Sequence, residues 1–390
     1  MDELKRYAKK LVIRALLTPL RLLPVKENRV FLINNLSHKY GGNPKYVAEY
    51  LMEHYGDRLE IVVSVKHPED YGCLRQRGFK VVRFNSWQYF INAMTSRVFV
   101  TNSGGYSYLP MRKKQYVINT WHGGGAYKKS GTDMYNNTKI FRADLKLQSR
   151  QTGAFLSTCR RFTQEFTRAM ILPEEVFWNI GMPRNDMLIH PDETLRRQVR
   201  ERIGLKEDEK LILFAPTYRK VDDNYFRDSV AIQYGVDSAR VVKAMEQRFG
   251  GKWRFAVRYH PNVVNRQDML DESVTDLTDY EDMQELLLAA DAMINDFSSS
   301  MWDFMLTGKP SFLFAQDLEH YVATTEVYVP VSQWPYPKAV SNDQLEENIL
   351  KFDEEKYAAD CRLHYQALGG CETGEATRLV CQRIWETVCG

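Results

Sequence analysis

The sequence predicts an α/β protein made of two halves of similar size, each a parallel sheet covered on both faces by helices, behind a basic amphipathic helix. Three observations carry that prediction. Short apolar runs alternate with helix-period segments from residue 29 to 175, and again from residue 211 to 314. Between them lies Asn179–Asp186, Asn-Ile-Gly-Met-Pro-Arg-Asn-Asp, which reads as a hinge. Finally, seven basic residues against Asp2 and Glu3 give residues 1–26 a net charge of +5, leaving about −2 for the rest.

A chain of 390 residues with 44% hydrophobic and 26% charged residues is long enough for two domains of ordinary size, each with its own core. A net charge of only +3 argues against wholesale nucleic-acid binding. The six cysteines (Cys73, Cys159, Cys361, Cys371, Cys381, Cys389) form no CxxC pair, which argues against a zinc site or a disulfide framework and for reduced thiols. No apolar run approaches the roughly 18 residues of a membrane span, and no small-residue cleavage site follows an apolar core at the N-terminus.

In order along the chain, Leu4, Tyr7, Ala8, Leu11, Val12, Ala15 and Leu16 recur at helical spacing, with Lys5, Lys9, Lys10 and Arg14 on other faces. Such a helix either lies in the interface of an anionic membrane or docks on the protein's own surface. The clustered bases favour the membrane, as do Pro19 and Pro24, which detach the segment from the first strand. Strands are expected at Val30–Ile33, Leu59–Val65, Val81–Phe84, Val98–Thr101 and Tyr116–Asn119, with helices at Pro44–His54 and Trp87–Thr95. The αβ pattern continues over 140–175. After a charged helix, Glu193–Ile203, the second alternation runs through strand Leu211–Ala215, a polar loop 219–236, helix Ser238–Phe249 and strand Arg254–Arg258. Val274–Leu277, Ala292–Asn295 and Ser311–Phe314 read as further strands, Met283–Ala290 and Ser299–Leu306 as helices. Glu375–Val388 reads as a terminal helix that packs back on the first half.

Ligands on parallel sheets bind at the carboxyl ends of the strands, so the turns there carry the chemistry. The clearest is Asp296 to Ser300, which places Ser298, Ser299 and Ser300 between a buried strand and the start of a helix that Gly308 and Pro310 end. Hydroxyls and free N–H groups in that position hold phosphate, although an ordinary serine N-cap has the same signature. His260 follows one strand and Arg219 another, offering cationic groups to a pyrophosphate; a surface cation is the alternative for Arg219. In the first half, His122 precedes Gly123-Gly124-Gly125, where substrate can approach the backbone and an imidazole near its unperturbed pKa suits a general base. A histidine hydrogen-bonded in a tight loop is equally compatible. Arg184, Asn185 and Asp186 either touch the site or cap the next helix, and capping is the expected role of Asp186. There is no GxGxxG, P-loop, HExxH or GxSxG motif, and no Asp-x-Asp at a strand end.

Taken together the motifs resemble the CDP-glycerol glycerophosphotransferase family, the teichoic-acid primases and polymerases, from about residue 29 to the end. The resemblance rests on His38-Lys39-Tyr40-Gly41-Gly42-Asn43-Pro44-Lys45-Tyr46, Thr120-Trp121-His122-Gly123, and Gly181-Met182-Pro183-Arg184-Asn185-Asp186. It continues in Ala215-Pro216-Thr217-Tyr218-Arg219, Arg258-Tyr259-His260-Pro261 and Asn295-Asp296-Phe297-Ser298-Ser299. It implies a GT-B architecture, two Rossmann-like domains facing a central cleft, with acceptor binding in residues 27–185 and CDP-alcohol binding in 186–370. Residues 1–26 would then be the membrane-associating helix, and 371–390 a helix packing back on the first domain.

The implied reaction is metal-independent transfer of glycerol phosphate from CDP-glycerol to a hydroxyl of a membrane-bound, lipid-linked acceptor, releasing CMP, at the cytoplasmic face of the membrane. His122 would be the base, and His260 and Arg219 would stabilise phosphate charge. Ser298 and Ser299 would hold the pyrophosphate, with Ser300, Asp296, Gly123, Arg184 and Asn43 around the substrates and no cofactor or metal. Two departures stand out: Gly124-Gly125-Ala126-Tyr127 replaces the usual Thr-Pro after the histidine, and Phe297 stands where Tyr is usual. Two other readings compete: a GT-B glycosyltransferase using a nucleotide sugar, and a non-catalytic nucleotide-binding scaffold. CDP-ribitol is an alternative donor.

Overall fold

The computed structural model describes residues 2–134, 137–217, 235–259 and 273–389. Arg219 and His260 lie outside them, as does most of the polar loop 219–236. The chain forms two compact units, Met1–Asp186 with Leu368–Gly390, and Met187–Ala367.

In the first unit, β1 (Lys26–Ile33) turns into the interior at Arg29, and Val30, Phe31, Leu32 and Ile33 are all buried. Burial on both faces is what a parallel sheet between helix layers demands. Six further strands join it: β2 (Glu60–Val65), β3 (Lys80–Arg83), β4 (Ser96–Thr101), β5 (Tyr116–Asn119), β6 (Thr152–Ser157) and β7 (Phe177–Asn179). Their order is β3-β2-β1-β4-β5-β6-β7, and every neighbouring pair is parallel. On one face Val30, Leu32, Ile61 and Val63 pack with Val47 and Leu51 of helix Gly42–Tyr55 and with Val380 and Ile384 of helix Ala376–Cys389. On the other, Phe31, Ile33, Val62 and Phe99 pack with Tyr89 and Met94 of helix Trp87–Thr95 and with Leu17 and Leu20.

The N-terminal helix, Asp2–Leu17, is not detached at the prolines. Arg14 donates to the Ser107 carbonyl at 2.6 Å, the Leu109 carbonyl at 2.8 Å and Gln151 Oε1 at 3.0 Å. Lys10 pairs with Asp144, and Leu17 is 4% exposed. Pro19 opens a 3-10 turn, Thr18–Leu22, whose Leu20 is buried, and Arg112 donates to the Arg21 and Leu23 carbonyls. The prolines redirect the chain without freeing it. The opposite face of the helix leaves Leu4, Leu11, Val12 and Leu16 at 41–71% exposure.

The second unit repeats the plan with β8 (Glu209–Phe214), β9 (Lys252–Val257), β10 (Thr275–Asp276), β11 (Ala292–Asn295), β12 (Ser311–Phe314) and β13 (Lys338–Ala339). The order is β10-β9-β8-β11-β12-β13, again all parallel. Leu211, Leu213, Ala256 and Met293 pack on one face against Val199, Leu286 and Phe304 from three helices.

Both sheets therefore contain a point where the chain, having moved outward on one side, restarts on the other. In the first unit that point lies between β1 and β4, where Ile33 pairs with Thr101; in the second it lies between β8 and β11, where Phe214 pairs with Ile294. The connections diverge there and leave a crevice beyond the strand ends.

Candidate active site

In the first unit the crevice opens beside Asn34, which follows β1, and Asn102, which follows β4. Asn102 Nδ2 donates to Asn34 Oδ1 at 2.9 Å, and Asn102 Oδ1 accepts from the Asn35 amide at 2.9 Å. This bracing fixes the Asn102 carbonyl, which lies 2.8 Å from His122 Nδ1. A carbonyl only accepts, so in the neutral ring Nδ1 carries the proton and Nε2 is left as a base. Burial pulls the His122 pKa down from its ordinary value to about 4; the nearby Arg184 charge also lowers it, against the Asn102 bond, which raises it. The expectation of an unperturbed histidine is thus corrected: burial favours the neutral ring across the physiological range.

The turn that presents His122 is held from several sides. Trp121 has φ of +53°, a left-handed conformation uncommon for a bulky residue. Its ring lies 5.4 Å from Phe155 and 5.3 Å from Phe166, and its amide donates to Asn119 Oδ1 at 2.9 Å. Asn43, in the first turn of helix Gly42–Tyr55, donates through Nδ2 to the Thr120 carbonyl at 3.1 Å and the Trp121 carbonyl at 2.9 Å. Its Oδ1 accepts the Arg184 amide at 3.1 Å. Gly123 is half-buried beside the imidazole, and the Gly125 amide donates to Thr158 Oγ1 at 3.1 Å.

The segment Gly181–Asp186 receives the C-terminal part of the unit. Glu372 accepts from the Met182 amide and from Asn185 Nδ2, both at 2.9 Å. A Cβ on Gly181, whose φ is +86°, would fall 2.3 Å from Glu372 Oε2, so only glycine fits. Asp186 does act as a cap, but not of the helix immediately after it. Its carboxylate accepts from the Ala376 and Thr377 amides at 3.0 and 2.7 Å, at the start of the C-terminal helix. Arg184 is half-buried, and its backbone, not its charge, makes the bond to Asn43.

In the second unit the crevice residues are Thr217, after β8, and Asp296, after β11. Asp296 Oδ1 accepts from the Thr217 amide at 2.8 Å, the Thr217 hydroxyl at 2.6 Å and the Phe297 amide at 2.5 Å. At 1% exposure Asp296 braces the two strand ends from below. Phe297 is fully buried and stacks on Tyr321 at 3.4 Å, an apolar setting in which a phenol oxygen is not required.

Above them Ser298, Ser299 and Ser300 are half-exposed. Asn295 Nδ2 donates to Ser300 Oγ at 2.6 Å, and Ser300 Oγ lies 3.0 Å from Ser298 Oγ. Ser299 occupies the N-cap position of helix Ser300–Met305 with helical φ and ψ (−64°, −11°) and makes no side-chain cap bond. The cap bond is made one residue earlier, where Ser298 Oγ accepts the Ser300 amide at 3.3 Å, so the Ser299 hydroxyl stands at the helix start without that duty.

Of the expected residues, His122, Gly123, Arg184 and Asn43 gather in the first unit, and Asp296 with the three serines in the second. Thr217 and Asn295 stood in strand-end motifs of the sequence without a role of their own, whereas Asn102 and Glu372 were not singled out. Asn102 directly follows β4, so a search for polar side chains just past strand ends would have found it. Glu372 has no such signal.

Residues 16–386 match the family of CDP-glycerol:poly(glycerophosphate) glycerophosphotransferases. The chain is 27% identical to a teichoic acid glycerol-phosphate transferase of Staphylococcus aureus, over 98% of this chain and 100% of that protein. It is 26% identical to a teichoic acid poly(glycerol phosphate) polymerase of Bacillus subtilis over 77% of this chain, which spans only 40% of the polymerase. Among solved structures it is similar to the wall teichoic acid polymerase TagF, in a variant soaked with CDPG, with a TM-score of 0.83 at 24% identity over 100% of this chain and 97% of that one. The chain accordingly belongs to the CDP-glycerol:poly(glycerophosphate) glycerophosphotransferase family of transferases.

Proposed function

We propose that this transferase moves glycerol phosphate from CDP-glycerol to a hydroxyl of a lipid-linked acceptor during assembly of a teichoic-acid or capsule-type polymer. The observation that carries the reading is the hydrogen bond from His122 Nδ1–H to the Asn102 carbonyl, which leaves a neutral Nε2 at the crevice of the first unit. Nε2 takes the acceptor hydroxyl proton as its oxygen bonds to the β-phosphorus. The bond from that phosphorus to the oxygen bridging to the cytidine side breaks, and CMP leaves with the electron pair. Little covalent work is asked of the protein, so positioning and charge stabilisation supply most of the rate.

Ser298 and Ser299, at the start of helix Ser300–Met305, are suited to the pyrophosphate oxygens. His260 and Arg219 take the charge-stabilising roles that the family resemblance assigns them. On this reading no divalent ion takes part. The apolar face of the N-terminal helix (Leu4, Leu11, Val12, Leu16), flanked by Lys5 and Lys9, supports peripheral attachment to the anionic cytoplasmic face of the membrane.

The test is incubation with CDP-glycerol or CDP-ribitol, a lipid-linked acceptor and EDTA, following CMP by chromatography and product by mass. Acceptor-dependent CMP release with a product heavier by one glycerol phosphate is expected. A ribitol phosphate increment would change the donor; failure to release CMP from either would overturn the reading in favour of a nucleotide-sugar glycosyltransferase.

A further inference from the structure

We infer that Asn43 is a positioning residue for His122: its carboxamide locks the backbone that aims the imidazole and does not contact substrate. The inference rests on the reading of His122 as the base. Asn43 is 1% exposed, and its carboxamide is engaged on both ends. Its orientation is unambiguous, because the two groups facing Nδ2 are carbonyls and the group facing Oδ1 is an N–H. Both Nδ2 hydrogens are used, and no donor is left for a ligand.

The partners explain what this arrangement accomplishes. In extended backbone successive carbonyls point to opposite sides. Here the carbonyls of Thr120 and Trp121 converge on one NH2 group, which the left-handed Trp121 permits. Such a conformation is strained in a non-glycine residue and persists where its surroundings over-determine it. The residue carried forward by that turn is His122. Through Oδ1 the same side chain holds the Arg184 amide, so the His122 turn, the helix start and the 181–186 segment share one clamp. The helix start is itself seated closely: a Cβ on Gly42 would lie 3.2 Å from Asn102 Nδ2, whose residue supplies the carbonyl bonded to His122.

Asn43→Asp tests this with almost no change of shape. The carboxylate can still accept the Arg184 amide, but it turns an acceptor toward two carbonyl oxygens. The expected result is a fall in kcat of about ten- to a hundredfold, the range for a misplaced reacting group, with KM for CDP-glycerol unmoved. Groups that act as a unit lose activity non-additively. Adding Asn43→Asp to His122→Ala should therefore cost much less than Asn43→Asp costs alone. Should the aspartate variant lack a cooperative unfolding transition, Asn43→Ser, whose hydroxyl has a single hydrogen to donate, carries the same comparison. Additive losses, or an unchanged kcat with a raised acceptor KM, would overturn the inference while leaving the base assignment standing. Near-normal turnover by His122→Ala would overturn both.

Discussion

His122 illustrates how one backbone contact sets the chemistry of a side chain. A histidine with a solvent-like pKa would be half protonated near pH 6.5 and would lose its basicity just below neutrality. Burial and the Arg184 charge hold this ring near pKa 4, and the Asn102 carbonyl selects the tautomer that exposes Nε2. A base in the proposed role acts unprotonated, so with this depressed pKa activity should be present above that value and be lost as pH falls through it. The acid limb of kcat/KM, which reports the free enzyme, should lie near pH 4 in a pH–rate profile. A limb near 6.5 would mean that the ring is solvated or that another group titrates. The imidazole was legible in the sequence as a candidate base, since it stands between a strand and three glycines. Its tautomer and pKa were not, because Asn102 and Arg184 meet it only through the sheet.

Elements of this chain are closed by residues far away in sequence, and this is where reading from sequence alone stopped. The apolar runs of β1, β2, β4, β8 and β11 were legible because a strand buried on both faces needs them. The docking of the N-terminal helix was not, because Arg14 finds its partners at Ser107, Leu109 and Gln151. Asp186 is similar: capping chemistry was evident, while the helix it caps begins 190 residues later. Removing that cap with Asp186→Ala should cost about 1 kcal/mol, read as a lowered urea midpoint, with amide exchange accelerated first in helix Ala376–Cys389. A midpoint and an exchange pattern equal to wild type would show that the two amides find water at no cost. The short serine turn was recognised by composition, but which serine caps was not: Ser298 Oγ accepts the Ser300 amide, while Ser299 makes no cap bond.

At the scale of the molecule, two parallel sheets of the same plan place polar residues at the strand ends flanking each switch point: Asn34 and Asn102 in one, Thr217 and Asp296 in the other. That repetition was visible as two rounds of alternation, although the residues at the switch points depend on strand order, which periodicity does not encode. The N-terminal helix adds a whole-molecule property, because one face is anchored to the first unit and the other leaves four large apolar side chains in solvent. The intact protein should sediment with vesicles rich in anionic lipid, and Leu11→Glu/Leu16→Glu should abolish this without changing CMP release from a water-soluble acceptor. Unchanged sedimentation by that variant would assign attachment elsewhere. The proposed role of His122 as the base of glycerol phosphate transfer is best checked by CMP release from His122→Ala at saturating CDP-glycerol and acceptor. Turnover should fall by about two to four orders of magnitude with CDP-glycerol binding intact, whereas near-wild-type turnover would remove His122 from that role.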